Sequence, residues 1–248
     1  MSVLSLDRVS CRFYDGRRAV AALDDVSLAV RAGELVALMG PSGSGKSTLV
    51  HAAAGLVRPA SGSVCLLGTA APPGRAATRW WADRRRAQIG FVHQRLNLVP
   101  GLSARDNVAL PLELDGWTTP DARRAAADAL TRSGAQDLAD LHGSHLSIGQ
   151  QQRVAVARAI VGGRPLVLAD EPTAALDTAA AEEIVELLAN LAHEGQAVVL
   201  VTHDGRLASW ADRVVLLRDG RIVDEVGAGL ATVAADDPGV ATPDRQLS

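Results

Sequence analysis

The segment that most restricts this chain runs Gly40-Pro41-Ser42-Gly43-Ser44-Gly45-Lys46-Ser47-Thr48, between the apolar run Leu35–Met39 and a helix-patterned stretch opening at Lys46. Its GxxxxGK[ST] spacing lets the backbone curl so that successive N–H groups point inward. The helix N-terminus behind them adds free donors and partial positive charge. Such a hollow suits phosphate oxygens. Lys46 is placed to reach the β- and γ-phosphates of a nucleoside triphosphate, and the Ser47 hydroxyl to enter a Mg²⁺ shell.

The rest of the chain supplies a sheet to carry that loop. Strand-like runs occur at Leu23–Val30, Leu35–Met39, Ser63–Leu67, Ile89–His93, Leu166–Ala169 and Ala197–Val201. Val214–Leu217 and Ile222–Val226 flank Asp219-Gly220, a pair suited to a tight hairpin. Helical patterning is clearest at Lys46–Leu56, Asp121–Ser133, Ile148–Val161 and Thr178–His193. Short apolar strands alternating with helices predict an α/β fold. The loop resembles that of P-loop NTPases, and the resemblance implies a RecA-like core with a mostly parallel sheet, an antiparallel β part and an inserted α-helical subdomain. Few strand signals and several helix signals, punctuated by Pro100, Pro111 and Pro120, put that insertion at about 96–150. Ala70–Arg86 reads as a solvated surface connection. The domain is expected to span 1–227, with 228–248, small, acidic and aperiodic, as a disordered tail.

Leu166-Val167-Leu168-Ala169 ends in Asp170-Glu171. The carboxyl ends of strands in an open α/β sheet face the ligand crevice, so both acids can approach the nucleotide. Asp170 suits the Mg²⁺ shell and Glu171 can accept a proton from an attacking water. Loop followed by strand-Asp-Glu is a hydrolase arrangement. A net charge of −3 argues against a broad nucleic-acid surface, so no nucleic acid is expected. No apolar run approaches the ~18 residues needed to span a bilayer, and the first ten residues lack a signal-peptide pattern. The expectation is a soluble, cytoplasmic chain.

Further motifs narrow the class. Leu146-Ser147-Ile148-Gly149-Gln150, followed by Gln151-Gln152-Arg153, resembles the ABC signature LSGGQ. Gln94 stands where the Q-loop glutamine does, Ala174-Ala175-Leu176-Asp177 resembles the D-loop, and His203 the switch histidine. Tyr14 lies upstream of the phosphate loop, where an aromatic stacks on adenine. Leu4 to Val226 thus resembles an ABC transporter ATP-binding subunit. The resemblance implies ATP and Mg²⁺ as ligands, with ATP lying between the phosphate loop of one subunit and the signature of a second. It implies that Ser147, Gly149 and Gln150 act across that interface and that His203 holds Glu171 and the water in line. It implies that Gln94 reaches the metal and water, and that Asp177 couples two sites.

Ile89-Gly90-Phe91-Val92-His93-Gln94 and Asn107-Val108-Ala109-Leu110-Pro111-Leu112 resemble the lipoprotein-releasing and macrolide-export subfamily. Implied partners are a second copy or a homologous ATP-binding subunit, and an integral membrane permease that holds the chain at the cytoplasmic face of the membrane. The alternatives are a soluble ABC ATPase and an ATP-sensing module. Two departures stand out: Ile148 where the family has Gly, and Ala174-Ala175 where the closest subfamily has Gly-Asn.

Overall fold

The computed structural model describes residues 2–15, 18–94 and 96–227, without the side chains of 14, 15, 18 and 19. The tail read at 228–248 lies outside the described residues. Among the described residues, ten strands are arranged as two sheets. In the antiparallel sheet, β1 (Ser2–Asp15) lies between β2 (Arg18–Arg31) and β4 (Ser61–Leu66), with the two-residue β5 (Thr69–Ala70) at its edge. The second sheet runs β10 (Arg221–Gly227), β9 (Arg213–Arg218), β3 (Leu35–Met39), β8 (Ala197–Val201), β7 (Leu166–Asp170), β6 (Ile89–Val92). All its pairs are parallel except the β9–β10 hairpin.

Alternation along β3 explains why its strand neighbours read as unbroken apolar runs. Leu35 and Ala37 pack on one face of the parallel sheet with residues of α5 (Ile148–Ile160) and α6 (Thr178–His193). Val36 and Leu38 pack on the other with α1 (Lys46–Ala53) and the antiparallel sheet. Both faces are buried, so neither set of alternate residues can be polar. The result is a fixed sheet whose strand ends are rigid.

The segment read as a helical insertion contains α3 (Ala104–Leu114) and α4 (Thr119–Arg132), and α5 opens at its far end. Pro111, a punctuation mark in the sequence, lies inside α3. Asn107, wholly buried on α3, donates through Nδ2 to the carbonyls of Val99, Leu102 and Ser103 and accepts from Val99 N–H at 2.7 Å. One amide thereby pins the loop ahead of the helix.

The reading of Ala70–Arg86 as a solvated connection is corrected by a helix, α2 (Ala76–Ala87). Trp81 is its one buried residue, set against Gly55, whose φ of 63° and missing Cβ make room for the indole. Arg85 donates to the carbonyls of Ala54 and Gly55 at the end of α1, and buried Arg164 donates to those of Arg85 and Arg86. An arginine-rich sequence conceals this docking because one tryptophan and two guanidinium groups perform it. Replacing Trp81 with Ala should cost about 3–5 kcal/mol, the usual loss for a buried aromatic, read as a lower denaturant midpoint at unchanged slope.

Candidate nucleotide site

The strands β3, β8, β7 and β6 are neighbours and parallel, so four carboxyl ends share one edge. The phosphate loop follows β3, His203 follows β8, Asp170 and Glu171 end β7, and Gln94 follows β6. Residues spread over more than 160 positions are brought to a single crevice by strand order alone.

The loop's glycines are needed for packing as well as for phosphate access. Gly40 has φ 146° and Gly45, the N-cap of α1, φ 106°. A Cβ on Gly40 would lie 2.0 Å from the Leu217 carbonyl oxygen, and one on Gly45 2.3 Å from that of Ala22. The loop is wedged between β2 and β9. Pro41, Ser42 and Gly43 face solvent, Thr48 is half-buried, and Ser44 and Lys46 are buried. Lys46 Nζ donates to the carbonyls of Gly40 and Pro41 at 2.8 and 2.9 Å.

Ser47 Oγ donates to Asp170 Oδ1 at 3.0 Å, joining the two motifs. A hydroxyl and a carboxylate side by side are the hard oxygen donors that Mg²⁺ prefers, so these residues fit that ion. Burial raises the pKa of Asp170, opposed by the Ser47 hydrogen bond and by His51. His51 Nε2 lies 3.9 Å from Asp170 Oδ2 and its ring stacks on Phe91 at 5.7 Å. Phe91 in turn meets His93 at 4.1 Å, and burial lowers the pKa of that histidine. His51 was not singled out in the sequence. Its signal was the i,i+4 spacing from Ser47, which sets both on one helix face.

Glu171 sits at φ 46°, a left-handed backbone that costs of the order of 1–3 kcal/mol in a non-glycine residue. Its Oε2 accepts from Gln94 Nε2 at 3.2 Å. Half-buried Arg158 on α5 donates to the carbonyls of Leu96 and Asn97, just past Gln94. The α5 helix thus holds the segment that carries Gln94.

That helix begins with a capping box. Ser147 Oγ accepts from Gln150 N–H, and Gln150 Oε1 accepts from Ser147 N–H at 2.9 Å. The N–H groups of Ile148 and Gly149 come before the first intrahelical bond, and the Ser147 O–H proton remains available to a ligand. Three donors therefore converge at an exposed helix end. Asp177 caps α6 by accepting from Ala180 N–H at 2.9 Å, and exposed His203 borders a small cleft with Thr173 and Leu176.

Tyr14 lies in β1, paired with Ala19, but its side chain is outside the described residues. Alternation along β1 gives Phe13 the face of Val9 and Cys11, both buried toward α1. Phe13 pairs with Val20, and the two are 45% and 48% exposed, an apolar pair at the end of the core face of β1 and β2.

Fold and site together define a nucleoside-triphosphate-hydrolysing cassette on a parallel sheet. Comparison with protein families matches residues 23–174 to the family described as ABC transporter. The macrolide export ATP-binding/permease protein MacB of Burkholderia pseudomallei (strain K96243) is 41% identical over 250 residues, covering 98% of this chain and 37% of that protein. The uncharacterized ABC transporter ATP-binding protein YvrO of Bacillus subtilis (strain 168) is 42% identical over 226 residues, covering 91% of this chain and 98% of that one. Among solved structures, the dimeric post-hydrolysis state of the ATP-binding cassette MJ0796 bound to ADP and Pi matches with TM-score 0.84 and 37% identity, over 91% of this chain and 98% of that one. CbiO1 from Clostridium perfringens, part of the ABC transporter complex cbiONQ, matches with TM-score 0.78 and 26% identity, over 92% and 89%. The chain belongs to the ABC transporter family and is an ATP-binding, ATP-hydrolysing cassette of it. It spans only 32–37% of the length of its MacB relatives. No helix among the described residues is long and apolar enough to cross a membrane.

Proposed function

We propose that this chain powers a separate membrane permease of the macrolide-export or lipoprotein-release kind, working as a head-to-tail pair at the cytoplasmic face of the membrane. The second member is another copy or a homologous cassette. The observation that carries this reading is the division of phosphate-binding groups. Lys46, Ser47, Asp170 and Glu171 gather at the sheet edge, while a second set, Ser147 Oγ–H with two free N–H groups, is presented at an exposed helix end. Two such copies, facing, complete each other.

In this reading Lys46 moves its ammonium from the loop carbonyls to the β- and γ-phosphates, and the loop N–H groups hold the other oxygens. Ser47 and Asp170 would hold Mg²⁺, with Gln94 beside them; the ion supplies charge neutralisation at the phosphates. Glu171 takes a proton from the attacking water once Gln94 releases it, and His203 helps to align both. Ser147, Gly149 and Gln150 of the opposite copy set the γ-phosphate in place. Release of Gln94 is transmitted through Arg158 to α5, and so from the site to the helical region on which a permease would bear. The test is phosphate release by the purified chain alone and with its permease in membrane vesicles; indifference to every membrane partner would remove transport from the reading.

The base platform is assigned to Phe13 rather than Tyr14, because Phe13 shares the face of Val9 and Cys11 and carries exposed apolar surface. Phe13→Ala should weaken ATP binding about 5–150-fold, the worth of one base–aromatic stack, and Tyr14→Ala by less than twofold. Titration with ATP and with inorganic triphosphate separates the two, since only ATP has a base to lose. The reverse ranking would return the role to Tyr14.

A further inference from the structure

The two departures from the family pattern, far apart in the sequence, meet in space. Ile148 is the first residue of α5, and Ala174 and Ala175 belong to the loop after Glu171. All three line one cleft of about 490 Å³, together with Leu176 and Pro172. Each change acts in one direction: where the family has no side chain or a polar one, this chain has hydrocarbon.

Ile148 is 55% exposed, and both alanines are exposed as well. A β-branched residue at the first helical position does no harm to the anion-binding end. Its φ is not in the left-handed region, and the Ser147–Gln150 capping box is intact around it. The side chain leans toward the helix N-terminus, as side chains on helices do. It therefore stands on the surface that must approach a nucleotide held by another molecule. Whatever brings a γ-phosphate to Ser147 and Gly149 passes over Ile148, because Ile148 lies between them. The related cassette MJ0796 has been solved as a dimer.

Resting on the head-to-tail reading, we infer that Ile148, Ala174 and Ala175 form an apolar seam that a second copy of this chain covers on closing. The seam strengthens the ATP-bound pair and slows its opening. The closed state then lasts longer than glycine at 148 and asparagine at 175 would allow. The Ile148 side chain has a positioning role in this scheme: it touches the partner protein, and only the backbone N–H of this residue faces the phosphate.

The test uses full-length Glu171→Gln protein saturated with ATP, its pairing followed by sedimentation equilibrium and its opening by dilution. Ile148→Ala in that background should raise the dimer dissociation constant about 10–100-fold, since two seams lose three carbons each, partly covered. Dissociation should accelerate accordingly, with ATP affinity of the monomer unchanged. Ile148→Thr, which keeps the β-branch but replaces one hydrocarbon arm with a hydroxyl, should behave as alanine does. Equal or tighter pairing with alanine would overturn the inference, showing that isoleucine obstructs closure. Full tightness with threonine would overturn it too, assigning the effect to backbone stiffness. If Glu171→Gln with Ile148 intact stays monomeric in ATP, the head-to-tail reading itself fails.

Discussion

Glu171→Gln lowers steady-state phosphate release about 10²–10⁴-fold, the ordinary worth of a positioned general base, while ATP still binds. The substitution is narrow in what it removes. Glu171 Oε2 accepts a hydrogen bond from Gln94 at 3.2 Å, and a glutamine oxygen at the same place accepts it equally well. The backbone at φ 46° keeps its conformation because the side-chain volume and that contact are both retained. Only the capacity to take a proton goes. Binding, which rests on Lys46, the loop N–H groups and Ser47, is left whole. The decisive measurement is single-turnover phosphate release with ATP in excess of its dissociation constant. A variant that turns over at the parent rate would move the base away from Glu171. Loss of ATP binding together with turnover would mean that the carboxylate holds the fold of the site instead of the water.

The parts of the site that the sequence disclosed are those written as local patterns on fixed elements. Leu35–Met39, Leu166–Ala169 and Ala197–Val201 read as strands because a parallel sheet covered on both faces needs every residue apolar. The loop at Gly40–Thr48 needs its glycines, and the acidic pair needs a strand end. Their sharing of one edge follows from strand order, which no local pattern encodes. What stayed hidden depends on tertiary contact. The strand β1 mixes Ser, Asp and Arg with its apolar residues and is broken by bulges, one beside Arg8 at φ 47°. The helix α2 is tied down by Trp81 and by the guanidinium groups of Arg85 and Arg164, so its composition looks solvated. The Gln94–Glu171 hydrogen bond joins residues 77 positions apart and gives neither a signature in its own segment. The meeting of Ile148 with Ala174 and Ala175 is of the same kind.

Lys46→Ala should weaken ATP binding about 10–150-fold, from the loss of hydrogen bonds to a charged group worth roughly 1.5–3 kcal/mol. The starting state matters to this estimate. Lys46 is buried, and its ammonium already donates to the Gly40 and Pro41 carbonyls at 2.8 and 2.9 Å. The phosphates therefore replace good partners, and the gain on binding comes from exchanging neutral acceptors for charged ones. Removing the side chain leaves those two carbonyls in a loop open to water, and the left-handed glycines still set its course, so stability changes little. The loss should grade with the ligand: largest for ATP, smaller for ADP and near zero for AMP, because the cation serves the β- and γ-phosphates alone. Arginine is no substitute, since its broad planar head does not occupy the place of a compact ammonium within the loop. Isothermal titration across the three nucleotides reads the gradient directly. Equal losses for all three would assign Lys46 to holding the loop together, and an unchanged affinity for ATP would place the phosphates elsewhere.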